Sequence, residues 1–230
     1  MFKYLARRLH NHKEEQELKD AINHLVEDSA ISTKYIILTV SSAMIAALGL
    51  IMENMAIVIG SMLIAPLLLP VVGLSIGVGA GSVKLVWHSI KSLVVGLVLA
   101  IAGSSLIGYF FLTHITWGMF SNFTDSYLYS IVAFIAGIVA VYSWLKPEKY
   151  QIIPGVTIAV ALIPPVAFMG LVLVDQDSTV LVDTLQLIIV NLVGLFIGGL
   201  ITFMLFAFLS KRPTEDVDQQ VEDEVEKKTK

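Results

Sequence analysis

Pro66 and Pro70 interrupt GSMLIAPLLLPVVGLSIGVGAG, residues 60–81, a stretch otherwise apolar enough for a bilayer. Proline has no N–H to give. Inside a helix, Pro66 therefore leaves the carbonyl of Met62 without its donor, and Pro70 does the same to Pro66. Pro164 and Pro165 likewise free the carbonyls of Val160 and Ala161. A carbonyl stripped of its donor in hydrocarbon is costly, so it must meet a protein donor, a water cavity or a ligand. Grouped carbonyl dipoles can hold a monovalent cation or a small polar solute. The candidate site is thus Gly60, Ser61, Met62, Pro66 and Pro70, with Thr157, Val160, Ala161, Pro164 and Pro165, and with Asn191 as a buried amide. No Lys or Arg lies at that depth, so a strongly anionic solute does not fit.

The elements that position these residues are membrane spans. The 230 residues are 56% hydrophobic and 15% charged, with a mean hydropathy of +0.81. Charge concentrates in residues 1–34 and 211–230. The composition places a membrane domain at 35–210, with spans near 35–52, 55–80, 89–112, 128–145, 155–174 and 185–209, each near the length that crosses about 30 Å of hydrocarbon. Lys3, Arg7, Arg8, Lys13, Lys19 and Lys34 precede the first span; Lys84 and Lys91, Lys146 and Lys149, and Lys211 and Arg212 mark every second connection after it. The alternate connections carry no Lys or Arg. Six spans with both termini cytoplasmic satisfy all of them. No cleavable signal precedes the first span.

A repeat underlies the spans. Shifting residues 57–75 by 95 positions sets Gly60 on Gly155, Leu67 on Leu162, Pro70 on Pro165 and Val71 on Val166. With a three-residue gap, Gly96 and Ala100 fall on Gly194 and Gly198. The unit is three spans, about 35–112 and 128–209. Three is odd, so the second copy is expected upside down, with the broken second and fifth spans meeting near the midplane. The expected fold is an all-α membrane protein of two inverted three-helix repeats.

Outside the membrane, residues 1–34 read as amphipathic helices. The stripe Leu18, Ala21, Ile22, Leu25 and Val26 predicts a face that packs on something. The tail 211–230 is acidic and reads as a solvated segment or a docking helix for a cytosolic protein. Small residues four apart, at Gly73, Gly77 and Gly81, at Gly96, Ala100, Ser104 and Gly108, and at Gly194 and Gly198, predict close helix packing, within one chain or in a homo-oligomer. Asn54 is placed to cap the second span.

The segment Asn54–Pro66, NMAIVIGSMLIAP, preceded by Gly49-Leu50, resembles a family of prokaryotic hydrophobic membrane proteins, the domain of unknown function 389, over roughly residues 35–175. The resemblance implies a prokaryotic cytoplasmic (inner) membrane protein; it brings no catalytic residues.

Enzymatic chemistry finds no support. There is no phosphate loop, nucleophile elbow or zinc-protease motif, and no cysteine. His10 and His12 point apart on a helix and form no metal pair. No basic face suits nucleic acid, and no cofactor motif is present. Two functions remain. One is a transporter or channel-like protein for a small neutral or polar solute or a monovalent ion. The other is a membrane scaffold or sensor acting through its N-terminal helix and acidic tail.

Overall fold

The computed structural model describes residues 25–26, 29–111, 126–145, 162–175 and 178–210. Among them are seven helices: α1 (Thr33–Ile51), α2 (Met55–Met62), α3 (Leu68–Ala80), α4 (Val83–Phe111), α5 (Ser126–Leu145), α6 (Ile163–Asp175) and α7 (Ser178–Ser210). No strand occurs among these residues. The acidic tail, most of residues 1–28 and residues 146–161, including Gly155, Thr157, Val160 and Ala161, lie outside the described residues.

Four helices, α1, α4, α5 and α7, are long and apolar enough to cross a membrane. The helices α3 and α6 have 13 residues each. At 1.5 Å per residue that is about 20 Å, too short for a full crossing. The expected second span is therefore two helices, α2 and α3, separated by residues 63–67. The third and sixth spans begin earlier than the sequence suggests, at Val83 and Ser178 rather than near 89 and 185. Gly81, left-handed at φ 80, ends α3, and Ser82 then accepts from Leu85 N at 3.4 Å. Lys84 and Lys91 thus stand on helix α4, not in a loop.

The bundle is inside-out relative to a soluble one. On α4 the buried stripe holds Ser89, Ser92, Gly96, Ala100, Gly103 and Ser104. The exposed stripe holds Val83, Trp87, Val94, Val98, Tyr109 and Phe110. On α5, Ala133, Ala136 and Ala140 face in while Ile131, Val132 and Ile135 face out. Large apolar side chains outside and small ones inside is the pattern of helices in lipid.

The small residues set which helices touch. A Cβ on Gly198 would run into the carbonyl of Phe134, and one on Gly137 into that of Leu195, so α5 and α7 lie backbone to backbone. Gly194 faces Ser130 and Ala133 and Gly199 faces Val141, so the two helices run parallel. Tyr35 reaches Ser92 and Gly103 faces Val40 and Met44, so α1 and α4 also run parallel. Gly73 and Gly77 face Ser89 and Val86, making α3 and α4 an antiparallel hairpin. Gly170 faces Ile101 and Ser104, and Gly108 faces Leu171 and Val174, so α6 runs with α4. Ser75 faces Gly199 and Gly79 faces Phe203, so α3 runs with α7. Apart from Gly81, the ridge glycines meet neighbours within one chain. The helix α6 is buried along Ile163–Val172 except for half-buried Pro164. Leu25 and Val26, the end of the N-terminal stripe, are buried in the same core.

Overpacking a closed backbone contact costs about 1–3 kcal/mol. Gly198→Ala is expected to lower stability by that amount. A Cβ on Gly60 meets nothing within 4 Å, so Gly60→Ala should be neutral or gain up to about 1 kcal/mol of helix propensity. Thermal unfolding of both variants in detergent checks the contrast.

Candidate functional site

The break between α2 and α3 is built from short-range bonds. The helix α2 starts at Asn54, whose side chain accepts from Ala56 N at 3.0 Å and Ile57 N at 3.4 Å. It follows a tight turn in which Glu53 adopts the left-handed region at φ 51. At its far end the chain tightens: Leu63 N donates to Gly60 O at 3.3 Å and Ile64 N to Ser61 O at 3.1 Å. Such i to i−3 bonds satisfy carbonyls that a continuing helix would have served.

Ser61 is the centre of this region. Its side chain donates to Val58 O at 2.6 Å, and its carbonyl accepts from Ser42 on α1, also at 2.6 Å. Ser61 and Met62 are buried, Pro66 is half-buried and Gly60 is exposed. The helix α2 packs on α1 and touches α6. The second prolines do something different from what an uninterrupted helix would suggest. Pro70 is the third residue of α3, and Pro164 and Pro165 are the second and third of α6. The first-turn amides of a helix have no intrahelical acceptor, so a proline there starts a helix and breaks no bond. The Pro66 carbonyl, which the sequence leaves bare, accepts from Leu69 N at 3.2 Å. Val166 N reaches Leu162 O at 3.3 Å.

The remaining site residues divide. Thr157, Val160 and Ala161 fall outside the described residues. Asn191 is buried on α7, whose neighbours include α3, α5 and α6. Two serines join half-helices to long helices across the core: Ser75 on α3 donates to Phe196 O at 3.2 Å, and Ser105 on α4 donates to Gly170 O at 3.0 Å. Between α3, α5 and α7 lies a shallow apolar dent, lined by Leu68, Val71, Val72, Ala140 and Leu195 among others and too tight to hold a water. No group of three or more His, Asp or Glu is placed to hold a metal ion among the described residues.

Four polar residues escape the sequence reading: Tyr35 and Thr39 on α1 and Ser89 and Ser92 on α4, all buried. The hydroxyl of Tyr35 donates to Ser92 O at 2.9 Å. The signal that finds them is the buried stripe of α4, which begins at Leu85 and passes through Ser89 and Ser92. Starting the span near 89 leaves those serines at its edge.

Residues 62–197 match the family described as Domain of unknown function (DUF389). The matched segment runs from the end of α2 into α7 and so contains the break and both half-helices. An uncharacterized protein of Methanocaldococcus jannaschii is 29% identical over 199 residues, covering 83% of this chain and 61% of that relative. The chain thus spans about three-fifths of the length of the curated relative it matches. No solved structure matches it.

The Asn54 cap generates a direct test. Asn54→Ala removes both side-chain acceptors and should cost about 1 kcal/mol, whereas Asn54→Ser should restore most of it. Melting temperatures of the two variants, side by side with the wild type, check this.

Proposed function

The chain belongs to the DUF389 family, and from that premise and the geometry above we propose that it is a multi-pass membrane transporter or channel-like protein built from two inverted repeats. Its cargo is a small neutral or polar solute or a monovalent ion. The observation that carries the reading is the pair α3 and α6. A shift of 95 residues lays the bounds of α3 on those of α6, and the start of α4 on the start of α7. Each half-helix has a proline as its third residue. The directions support inversion. Because α3 opposes α4 while α6 runs with α4, α3 and α6 run in opposite senses. Because α3 runs with α7, so do α4 and α7; and because α1 follows α4 and α5 follows α7, so do α1 and α5.

The cross-contacts are reciprocal as well. Ser75 packs on Gly199. Under the same shift Gly170 stands at the place of Ser75, and Ser104 at the place of Gly199. Gly170 packs on Ser104. A pair of half-helices, each seated on the long helix of the other repeat, is the arrangement in which transporters bind cargo near the midplane. The cargo class follows from the lining: Ser42, Ser61 and Ser75 are neutral, and Lys84 and Lys91 on α4 are exposed. Both termini are assigned to the cytoplasm, on the side that holds Lys84 and Lys91.

The test is a solute and ion screen in proteoliposomes. Pro66→Ala returns an amide donor to the link between α2 and α3 and allows α2 to continue. Wild type is expected to move a neutral solute or a monovalent ion, and Pro66→Ala to lose about tenfold in flux, the loss of one hydrogen bond to cargo. Wild type that moves nothing would leave the scaffold function in its place. Single cysteines at positions 121 and 178 of the cysteine-free chain should label from outside with an impermeant reagent, and labelling only after lysis would overturn the orientation.

A further inference from the structure

Three buried hydroxyls have no hydrogen-bond partner among the described residues: Thr39 on α1 and Ser89 and Ser92 on α4. They are 0%, 0% and 1% exposed. A buried donor-acceptor without a partner is disfavoured, and native proteins seldom keep one without a use for it. A partner is always at hand on a helix, because a Ser or Thr hydroxyl can turn back to the carbonyl three or four residues earlier. Ser61, Ser75, Ser104, Thr184 and Thr202 all do so. Thr39, Ser89 and Ser92 do not.

Ser89 and Ser92 lie on the buried stripe of α4 and Thr39 on the buried face of α1, and these two helices pack together in a seam. Ser89 lies against α3, its oxygen 2.5 Å from where a Cβ on Gly73 would stand. Ser92 is one turn further along α4, and its carbonyl takes the Tyr35 hydroxyl. Tyr35 and Leu67 both close on Gly96. Thr39 is one turn beyond Tyr35 on the same buried face of α1, and Ser42, less than a turn further, reaches the Ser61 carbonyl at the break. The seam therefore leads from the α3–α4 hairpin to the interrupted backbone.

We propose that this seam is a binding path for small neutral hydrogen-bonding molecules, from water to about the size of glycerol. It rests on the transport reading only for the step in which the path opens; occupancy of the seam stands by itself. Each hydroxyl offers one donor and two acceptor positions. A cation would use the acceptors and leave three donors unmet, and no carboxylate is present on the seam to balance its charge. An anion would find no buried Lys or Arg there among the described residues, since Lys34 and Lys91 are both exposed. A neutral molecule that both donates and accepts satisfies all three hydroxyls. In the closed arrangement Ser89 and Tyr35 occupy the space left by Gly73 and Gly96, so a small separation of α1 or α3 from α4 exposes the path without refolding a helix.

The test uses single Thr39→Cys, Ser89→Cys and Ser92→Cys variants of the cysteine-free full chain in liposomes, with Ser104→Cys and Thr184→Cys as buried controls. The probe is the neutral reagent hydroxyethyl methanethiosulfonate, compared with its trimethylammonium analogue. The three seam positions are expected to react about tenfold faster with the neutral reagent than the controls do, the signature of local opening to solvent. Glycerol should slow that reaction. Seam positions no faster than the controls, or equally fast with the cationic reagent, would overturn the proposal. Should a variant fail to fold, hydroxyl-radical labelling of the wild type carries the test: Leu67, which closes on Gly96 at the seam, should be oxidised about tenfold faster than the equally buried Leu195 between α5 and α7, and equal protection overturns the proposal. Osmotic water and glycerol permeability of the wild type separates the two claims. Reactive thiols without flux keep the seam and remove transport; flux with unreactive thiols removes the seam.

Discussion

A backbone that leaves its helix inside an apolar bundle must still pair its N–H and C=O groups, and the region around Ser61 is organised by that demand. Five residues separate α2 from α3. Tightened turns at Leu63, Ile64 and Leu69 serve three carbonyls. The Ser42 hydroxyl adds a bond to Ser61 O from a different helix. That bond, with the one from Tyr35 to Ser92 O, ties α1 to both the break and α4. A typical bond of this kind contributes only about 1 kcal/mol net. Its importance lies in the alternative, a stranded carbonyl costing more than the bond yields.

The same environment decides how the helices pack. Lipid tails are as apolar as leucine, so burying leucine between helices brings no hydrophobic gain. What remains is dispersion, about 0.1–0.2 kcal/mol for each well-placed pair of heavy atoms. Close backbone approach multiplies such pairs. Gly137 and Gly198 allow it between α5 and α7, and Gly170 allows it between α6 and α4. The half-helices then have a structural role. They are the most enclosed elements, and each is held by a serine bond to a long helix.

Much of this was legible in the sequence because its signals are backbone signals. Apolar length gives the long helices, and Pro66 marks the interruption after α2. Asn54 reads as a cap because only a few side chains can accept from a helix's first amides. Other features depend on position within an element. Pro70 reads as a break until the helix is known to start at Leu68, which makes it a first-turn residue. Lys84 and Lys91 read as a loop, although a long stem lets a lysine stay on a helix and keep its charge outside. The hydroxyls are the least legible. Ser75 and Ser89 are the same residue type on neighbouring apolar helices, yet one turns to its own backbone and the other to Gly73. That choice is made by packing, which no residue spacing encodes.

A closely packed break and a cargo path are compatible when the bonds that close the break are exchangeable. In a continuous helix, a carbonyl becomes available to cargo only when an i to i−4 bond is broken and its amide is stranded. At Ser61 the amide of Ile64 can keep its bond while the Ser42 hydroxyl rotates away, so the second lone pair of the carbonyl is released without stranding a backbone donor. The exchange replaces one neutral hydrogen bond by another, within about 1 kcal/mol. Pro66 adds a second such carbonyl, because with no N–H it can never claim that of Met62. The mobility required is then that of a hydroxyl and of a seam between α1 and α4. The helices themselves stay intact, as the backbone contacts at Gly137, Gly170 and Gly198 require.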